Sequence, residues 1–202
     1  MTRVRLIIFD LGGVLVRLER HKLLEAVARE TKRPLEDLEQ LVVHSHLIEQ
    51  FELGRIGPTQ FFVQLKESLK LSWTFDRFVT AWNSILSENP ETTWMLQRLR
   101  ERYTLLALSN TDVLHDEYIR RTWPVFGQMH HWIASYQVGL RKPEPQIYEL
   151  ALRRAEASPH AAVYIDDTEE CVETARALGL IAIHCAPGLP LEQELRAAGV
   201  HV

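Results

Sequence analysis

Short apolar runs that stop abruptly at polar or turn residues recur along this chain. Residues 4–9 (VRLIIF) end at Asp10 with two glycines close behind, and residues 103–108 end at Ser109-Asn110. Residues 132–135 precede a turn at Gly139, residues 161–165 end at Asp166-Asp167, and residues 180–184 precede Ala186-Pro187-Gly188. Runs this short and apolar predict strands covered on both faces of a sheet. Between them, residues 92–102, 145–155 and 169–178 carry helical spacing, the last closed by Gly179, as is common at a helix C-terminus. Strands alternating with helices predict an α/β fold: a three-layer, Rossmann-like, doubly wound parallel sheet.

Residues 19–89 break the alternation. They offer helical patterns at 21–31, 35–50, 58–69 and 75–87 and no convincing strand. This predicts a small helical cap inserted after the first strand, with a core made of residues 1–18 and 90–202 and a return hinge at Ser87-Glu88-Asn89-Pro90. An insertion at that point lies over the carboxyl edge of the sheet, where open α/β folds bind ligands. Phe51, Trp73 and Trp82 are expected in the cap's own core. Residues 191–198 predict a final helix.

At 202 residues there is room for one core and a small appended domain. The chain is 46% apolar and 25% charged, ordinary for a globular protein, so neither disorder nor membrane insertion is expected. A formal net charge of -4 and no long run of Lys or Arg argue against a nucleic-acid partner. Cys171 and Cys185 lack CxxC spacing, and the opening MTRVRLIIFD is too short an apolar stretch for a leader. A cytoplasmic protein is the expectation.

The chemistry gathers at the strand ends. In a parallel sheet, Asp10, Ser109-Asn110 and Asp166-Asp167 face one edge, and Arg141-Lys142-Pro143-Glu144-Pro145 sets a basic pair just before a helix. Together they supply a nucleophile, a hydroxyl, a cation and further carboxylates. Each alone is a weak signal, since Asp at a strand end often only caps a helix.

In order and spacing, FDLGGVL, LLALSNT, GLRKPEP and IDDTEE resemble the four motifs of the haloacid dehalogenase-like superfamily, and the likeness spans essentially the entire chain. FELGRI in the insertion adds a likeness to its small-capped phosphatases, a subgroup with bacterial glucose-1-phosphate phosphatase and the phosphatase domain of soluble epoxide hydrolase. The resemblance implies a Mg²⁺-dependent phosphatase acting on a small phosphorylated metabolite, with Asp10 as the nucleophile that becomes phosphorylated. It implies metal ligation by Asp10, the Gly12 carbonyl and Asp167. Ser109 and Asn110, the latter through its backbone or amide, would bind the phosphoryl group. Lys142 would offset charge on Asp10 and phosphate, and Asp166 would support the metal's water or Lys142. Arg141 is expected to be solvated or to face substrate, and Glu169 and Glu170 to favour the first turn of their helix.

The pattern departs from the family at two places. Most phosphatases of the superfamily carry a second aspartate two positions after the nucleophile, as acid and base, and here that position is Gly12. General acid catalysis contributes about 10²–10⁴-fold, so either the leaving group is acidic, as in an anomeric or acyl phosphate, or the cap supplies the proton. His44, His46 and Glu52 are the cap candidates. Cys171 stands where relatives often place Asp or Asn, and is expected to be an apolar filler. A metal-independent 2-haloacid dehalogenase and a non-catalytic binding protein remain the alternatives; the Asp166-Asp167 pair disfavours the first, because uncompensated carboxylates need a cation.

Overall fold

The computed structural model of the chain describes residues 3–42 and 45–202. Strand β1 (Leu6–Phe9) enters the core and leads through a tight turn to β2 (Val16–Leu18). Five helices follow: α1 (His21–Thr31), α2 (Leu35–Val42), α3 (His46–Glu52), α4 (Pro58–Leu69) and α5 (Phe75–Asn83). Strand β3 (Leu86–Glu88) then returns the chain to the core through α6 (Pro90–Thr93) and α7 (Leu96–Arg100). The remainder alternates: β4 (Thr104–Ser109), α8 (Val113–Thr122), β5 (His131–Ala134), α9 (Ser135–Val138), α10 (Pro145–Arg154), β6 (Ala162–Asp166), α11 (Glu169–Ala177), β7 (Ile181–His184) and α12 (Leu191–Ala197).

The main sheet has five parallel strands in the order β5-β4-β1-β6-β7. From β1 the chain winds outward to β4 and β5 on one side, then crosses back to β6 and β7 on the other. β1 is therefore the switch point, and the crevice for a ligand opens at its carboxyl end between β4 and β6. Side chains alternate across the sheet: Ile7, Phe9, Leu105, Ala107, Val163 and Ile165 pack on one face, and Leu6, Ile8, Leu106, Leu108, Ala162 and Tyr164 on the other. Each fully buried aliphatic side chain contributes roughly 1.5–3 kcal/mol, so a one-residue slip of β1 would exchange its two faces and is strongly opposed.

The cap departs from expectation in three respects. The continuous helix predicted over 35–50 is two helices, because Ser45 is extended (φ -81, ψ 143) and opens α3 as its N-cap. The helix predicted over 75–87 stops at Asn83. Its last residues form β3, which pairs antiparallel with β2 in the register Val16↔Glu88 and Leu18↔Leu86. This two-stranded ribbon joins the ends of the helical segment where no strand was expected. Inside the cap, Phe51, Phe61, Phe62, Phe75, Phe78 and Trp82 form one aromatic cluster, with Phe51 and Phe61 stacked at 4.4 Å. Phe51, Trp73 and Trp82 are buried there.

In the core, the helix predicted over 92–102 is interrupted at Trp94 and Met95. Helix α8 had no sequence prediction. Asp112 starts it by accepting from the backbone N–H of Leu114 (2.8 Å) and His115 (3.1 Å). Among the described residues no helix is long and apolar enough to cross a membrane.

Candidate active site

Asp10 directly follows β1. Its backbone N–H donates to Ile165 O (2.9 Å), so the strand ladder fixes where its carboxylate begins. Oδ1 accepts from the Leu11 N–H (2.7 Å) and lies 2.8 Å from Lys142 Nζ. Oδ2 accepts no hydrogen bond among the described residues and remains open to the cavity. Asp10 is buried, 7% exposed, and Lys142 is 4% exposed.

Lys142 is held at both its ends. Its ammonium bridges Asp10 and Asp166 Oδ2 (2.6 Å), while its backbone N–H donates to Asn110 Oδ1 (2.8 Å) and its carbonyl accepts from Asn110 Nδ2 (2.9 Å). Asn110 Oδ1 and one Nδ2 hydrogen thus clamp the Lys142 backbone, which leaves the second Nδ2 hydrogen and the backbone N–H of Asn110 for a ligand. Ser109 ends β4 and is buried without lining the cavity.

Asp166 is engaged at both oxygens. Tyr164 OH and Lys142 Nζ donate to Oδ2, and the Thr168 N–H donates to Oδ1 (2.8 Å). It holds Lys142 and the first turn of α11, and Oδ1, with one donor, is its less engaged oxygen. Tyr164 precedes it by two on the same face of β6, a spacing that period-two alternation makes legible in the sequence, although it was not singled out. Asp167, by contrast, is exposed. Its carboxylate lies over Gly13, where a Cβ would come within 2.0 Å of Oδ2 and where φ is +73; glycine is required on both counts.

Asp10, Asp166 and Asp167 place ligand oxygens within 4.8 Å of one another. Burial pushes the Asp10 carboxyl above the usual carboxylate range; Lys142 pulls it back and Asp166 pushes it up again. Burial and then Asp166 likewise raise Asp167. For Lys142, burial works against the charge, but Asp10 and Asp166 outweigh it and raise the ammonium's pKa. One ammonium among three carboxylates leaves the site short of positive charge. Hard oxygen donors so arranged fit Mg²⁺.

Asp10, Asn110, Lys142 and Asp167 line a cavity of ≈ 400 Å³ with Gly12, Leu18, Arg20, Glu52, Arg141, Pro143, Thr168, Glu170 and Cys171, and Asp166 lies buried behind Lys142. Arg20 and Leu18 had no sequence signal. Cys171 is buried, as an apolar filler should be. Arg141 faces the cavity and reaches the cap, with Nη1 3.7 Å from Glu49 Oε1 and Nη2 3.6 Å from Glu52 Oε2. Of the two cap candidates for proton transfer among the described residues, Glu52 and not His46 is placed in the cavity wall. His46 is exposed and pairs with Glu49 at 3.3 Å, and His44 lies outside the described residues.

A second constellation, missed in the sequence, joins core to cap. His115 Nδ1 lies 3.0 Å from Asp112 Oδ2 and Nε2 lies 3.0 Å from Trp82 O. Both partners are acceptors, an arrangement that favours the doubly protonated ring, and, against the effect of burial, Asp112 and the Trp82 carbonyl raise the ring's pKa. The ring stacks on Trp82 at 5.1 Å, and Trp82 Nε1 donates to the same Asp112 oxygen (3.0 Å). The signal that could have found it is Asp112 itself, a good N-cap three residues before a histidine.

A parallel α/β sheet with an aspartate at its switch strand, a lysine bridging two carboxylates and a helical insertion above them defines a hydrolase class, and the haloacid dehalogenase-like hydrolase family matches residues 4–179. The chain belongs to that family. It is 24% identical over 202 residues to D-ribitol-5-phosphate phosphatase of Bacteroides thetaiotaomicron, covering 95% of this chain and 97% of the relative. It is 26% identical over 204 residues to the sesquiterpene phosphatase astK of Aspergillus oryzae, covering 96% of each. Among solved structures, a family enzyme of Bacteroides thetaiotaomicron in complex with magnesium and inorganic phosphate superposes with a TM-score of 0.80 at 26% identity, over 89% of this chain and 93% of that one.

Proposed function

We propose that this hydrolase is a Mg²⁺-dependent phosphatase of a small phosphorylated metabolite, working through an aspartyl phosphate on Asp10. The observation that carries the reading is the Asp10 carboxylate: one oxygen is fixed by Leu11 N–H and Lys142, and the other is open to the cavity at the switch point of the sheet. A carboxylate so held presents one lone-pair direction and cannot rotate away, which suits in-line attack on phosphorus. The two phosphatase relatives and the magnesium and phosphate bound by the family enzyme support the same chemistry.

Asp10, Asp167 and the Gly12 carbonyl would hold the cation. When bound it supplies positive charge that lets a phosphate dianion approach a carboxylate. The chain's own residues do the rest. Lys142 neutralises charge on Asp10 and the phosphoryl oxygens, Asp166 and the Asn110 clamp keep Lys142 in place, and the Asn110 backbone N–H is available to a phosphoryl oxygen. The cap excludes bulk water from the reacting centre.

Release of p-nitrophenol from p-nitrophenyl phosphate, with and without Mg²⁺, tests the reading. Activity is expected only with the metal, and Asp10→Asn should lower it on the order of 10⁴-fold or more. Metal-independent release of halide from a 2-haloacid, without phosphatase activity, would overturn it.

A further inference from the structure

Resting on the phosphatase reading above, we infer that Glu52 of the cap is the proton donor to the leaving group and the base for the hydrolytic water. In an in-line displacement the leaving oxygen lies across phosphorus from Asp10, hence away from the sheet edge and toward the cap. The carboxyl that the cap places in the cavity wall is Glu52. The remaining carboxyls of the wall, Asp10, Asp167 and Glu170, belong to the core side, and position 12 beside the nucleophile carries no side chain.

Glu52 is also held in position. It ends α3, and its backbone carbonyl lies 2.6 Å from Ser135 Oγ on α9 of the core. Two residues on, Gly54 (φ +68) lets the cap backbone approach Tyr136 O so closely that a Cβ would come within 2.2 Å. The segment is therefore docked on the core, which fixes the carboxyl against the nucleophile. The space next to Asp10 is taken differently: a Cβ on Gly12 would meet Leu18 Cδ1 at 2.9 Å, so an acid at position 12 would require Leu18 to turn away.

Asp112 and His115 face Glu52 from the core side, Arg141 precedes Lys142, and Arg20 lies between β2 and α1. Burial raises the Glu52 carboxyl, Arg141 lowers it, Asp112 raises it, and His115 and Arg20 lower it; the net direction is upward. The upward direction is the one a proton donor needs, and the placement of the carboxyl in the cavity wall is what assigns the role.

The two half-reactions balance. Asp10 Oδ2 bonds to phosphorus as the P–O bond to the leaving group breaks, the electron pair stays on the leaving oxygen, and Glu52 protonates it. The Glu52 carboxylate then takes a proton from the attacking water, whose oxygen bonds to phosphorus as the bond to Asp10 Oδ2 breaks. Asp10 and the Glu52 carboxyl are restored, and the alcohol and phosphate are the products.

Glu52→Gln keeps the size and removes the acid. With phenyl phosphate, whose phenol leaves poorly, kcat/KM should fall about 10²–10⁴-fold. With p-nitrophenyl phosphate, whose leaving group scarcely needs a proton, the first half-reaction should be little affected, so burst formation of p-nitrophenol should persist while turnover slows. Glu52→Asp should restore part of the phenyl phosphate activity, and the decline of wild-type activity with rising pH should be absent from Glu52→Gln. Equal losses of kcat/KM on both esters, or none, would overturn the role of Glu52 while leaving the phosphatase reading intact. A wild-type protein inert to both esters and to a panel of phosphorylated metabolites would overturn the phosphatase reading itself.

Discussion

Around Asp10 the protein buries charge on strands whose register is set by ladder hydrogen bonds, whereas above it the cap buries aromatic rings on helices joined by loops. At the sheet edge Lys142 is answered by two carboxylates and by Asn110, and Asp166 by three donors. In the cap the counterpart is packing, and the polar ties to the core run through Glu52, Trp82 and Glu49. The difference assigns tasks. A reacting carboxylate needs placement to a fraction of an ångström, which strands provide, while a cover that must admit substrate needs a seam with a modest energy.

The largest effect on this contrast should come from Lys142→Met. It leaves Asp10 and Asp166 together without their cation in a nearly dry site, and breaking such a buried set by removing one partner costs about 3–5 kcal/mol. Urea denaturation of variant and wild type at neutral pH would measure it. Asp10→Asn added to Lys142→Met should recover part of the loss, because the repelling charge is gone. A loss below about 1 kcal/mol would mean that the sheet edge does not depend on this ion cluster.

The two regions also differed in what the sequence disclosed. The five strands of the sheet were legible to within a residue or two, because each is a short apolar run between polar stops, with β1, β4 and β6 covered on both faces and the edge strands β5 and β7 less so. Asp10 and Asp166 were legible because strand ends in a parallel sheet share an edge, and Lys142 as one of a basic pair just before a helix, in a motif that resembles the family's. Helix α8 and its Asp112–His115 pair were not, since its mostly polar segment lacks a clean apolar stripe and its role depends on Trp82, distant in sequence. The break at Ser45 and the ribbon of β2 with β3 were missed for a related reason. Helical spacing continues past both, and only the tertiary seam decides that residues 86–88 extend. The Asn110 clamp was hidden similarly, since its partner backbone lies 32 residues on, beyond α8, β5 and α9.

An intermediate effect should come from the imidazolium at the seam. Burial alone would lower the His115 pKa, but Asp112 and the Trp82 carbonyl raise it above the ordinary 6.5; burial alone would raise Asp112, but His115 outweighs it and lowers Asp112 below 3.8. A raised histidine contributes stability that is complete below its unfolded value and lost as pH rises through the folded one. A lowered aspartate contributes stability present above its unfolded value and lost as pH falls through the folded one. His115→Leu should therefore cost most between about pH 4 and 6.5, on the order of 3 kcal/mol, with the gap to wild type narrowing on the alkaline side. Thermal unfolding at several pH values would show it. A gap independent of pH would reduce the pair to simple packing between α5 and α8.

The smallest effect on stability, and the finest probe of the seam, is Arg141→Leu. Its two contacts to Glu49 and Glu52 are long, 3.7 and 3.6 Å, and its side chain is 32% exposed, so the pairs should be worth no more than about 1 kcal/mol. Function should respond more than stability. Without Arg141 the cap edge loses its cationic tie to the core, and the Glu52 carboxyl loses the group that most opposes its upward shift. KM should rise several-fold, and any pH limb governed by Glu52 should move to higher pH. High salt should weaken the same tie in wild type and change KM in the same direction, but should do little to the variant, because exposed pairs are screened while the buried Lys142 cluster is not. If salt moves KM equally in both, the tie at Arg141 is not what holds the cap edge, and the docking of Gly54 on Tyr136 and of Glu52 on Ser135 carries the seam instead.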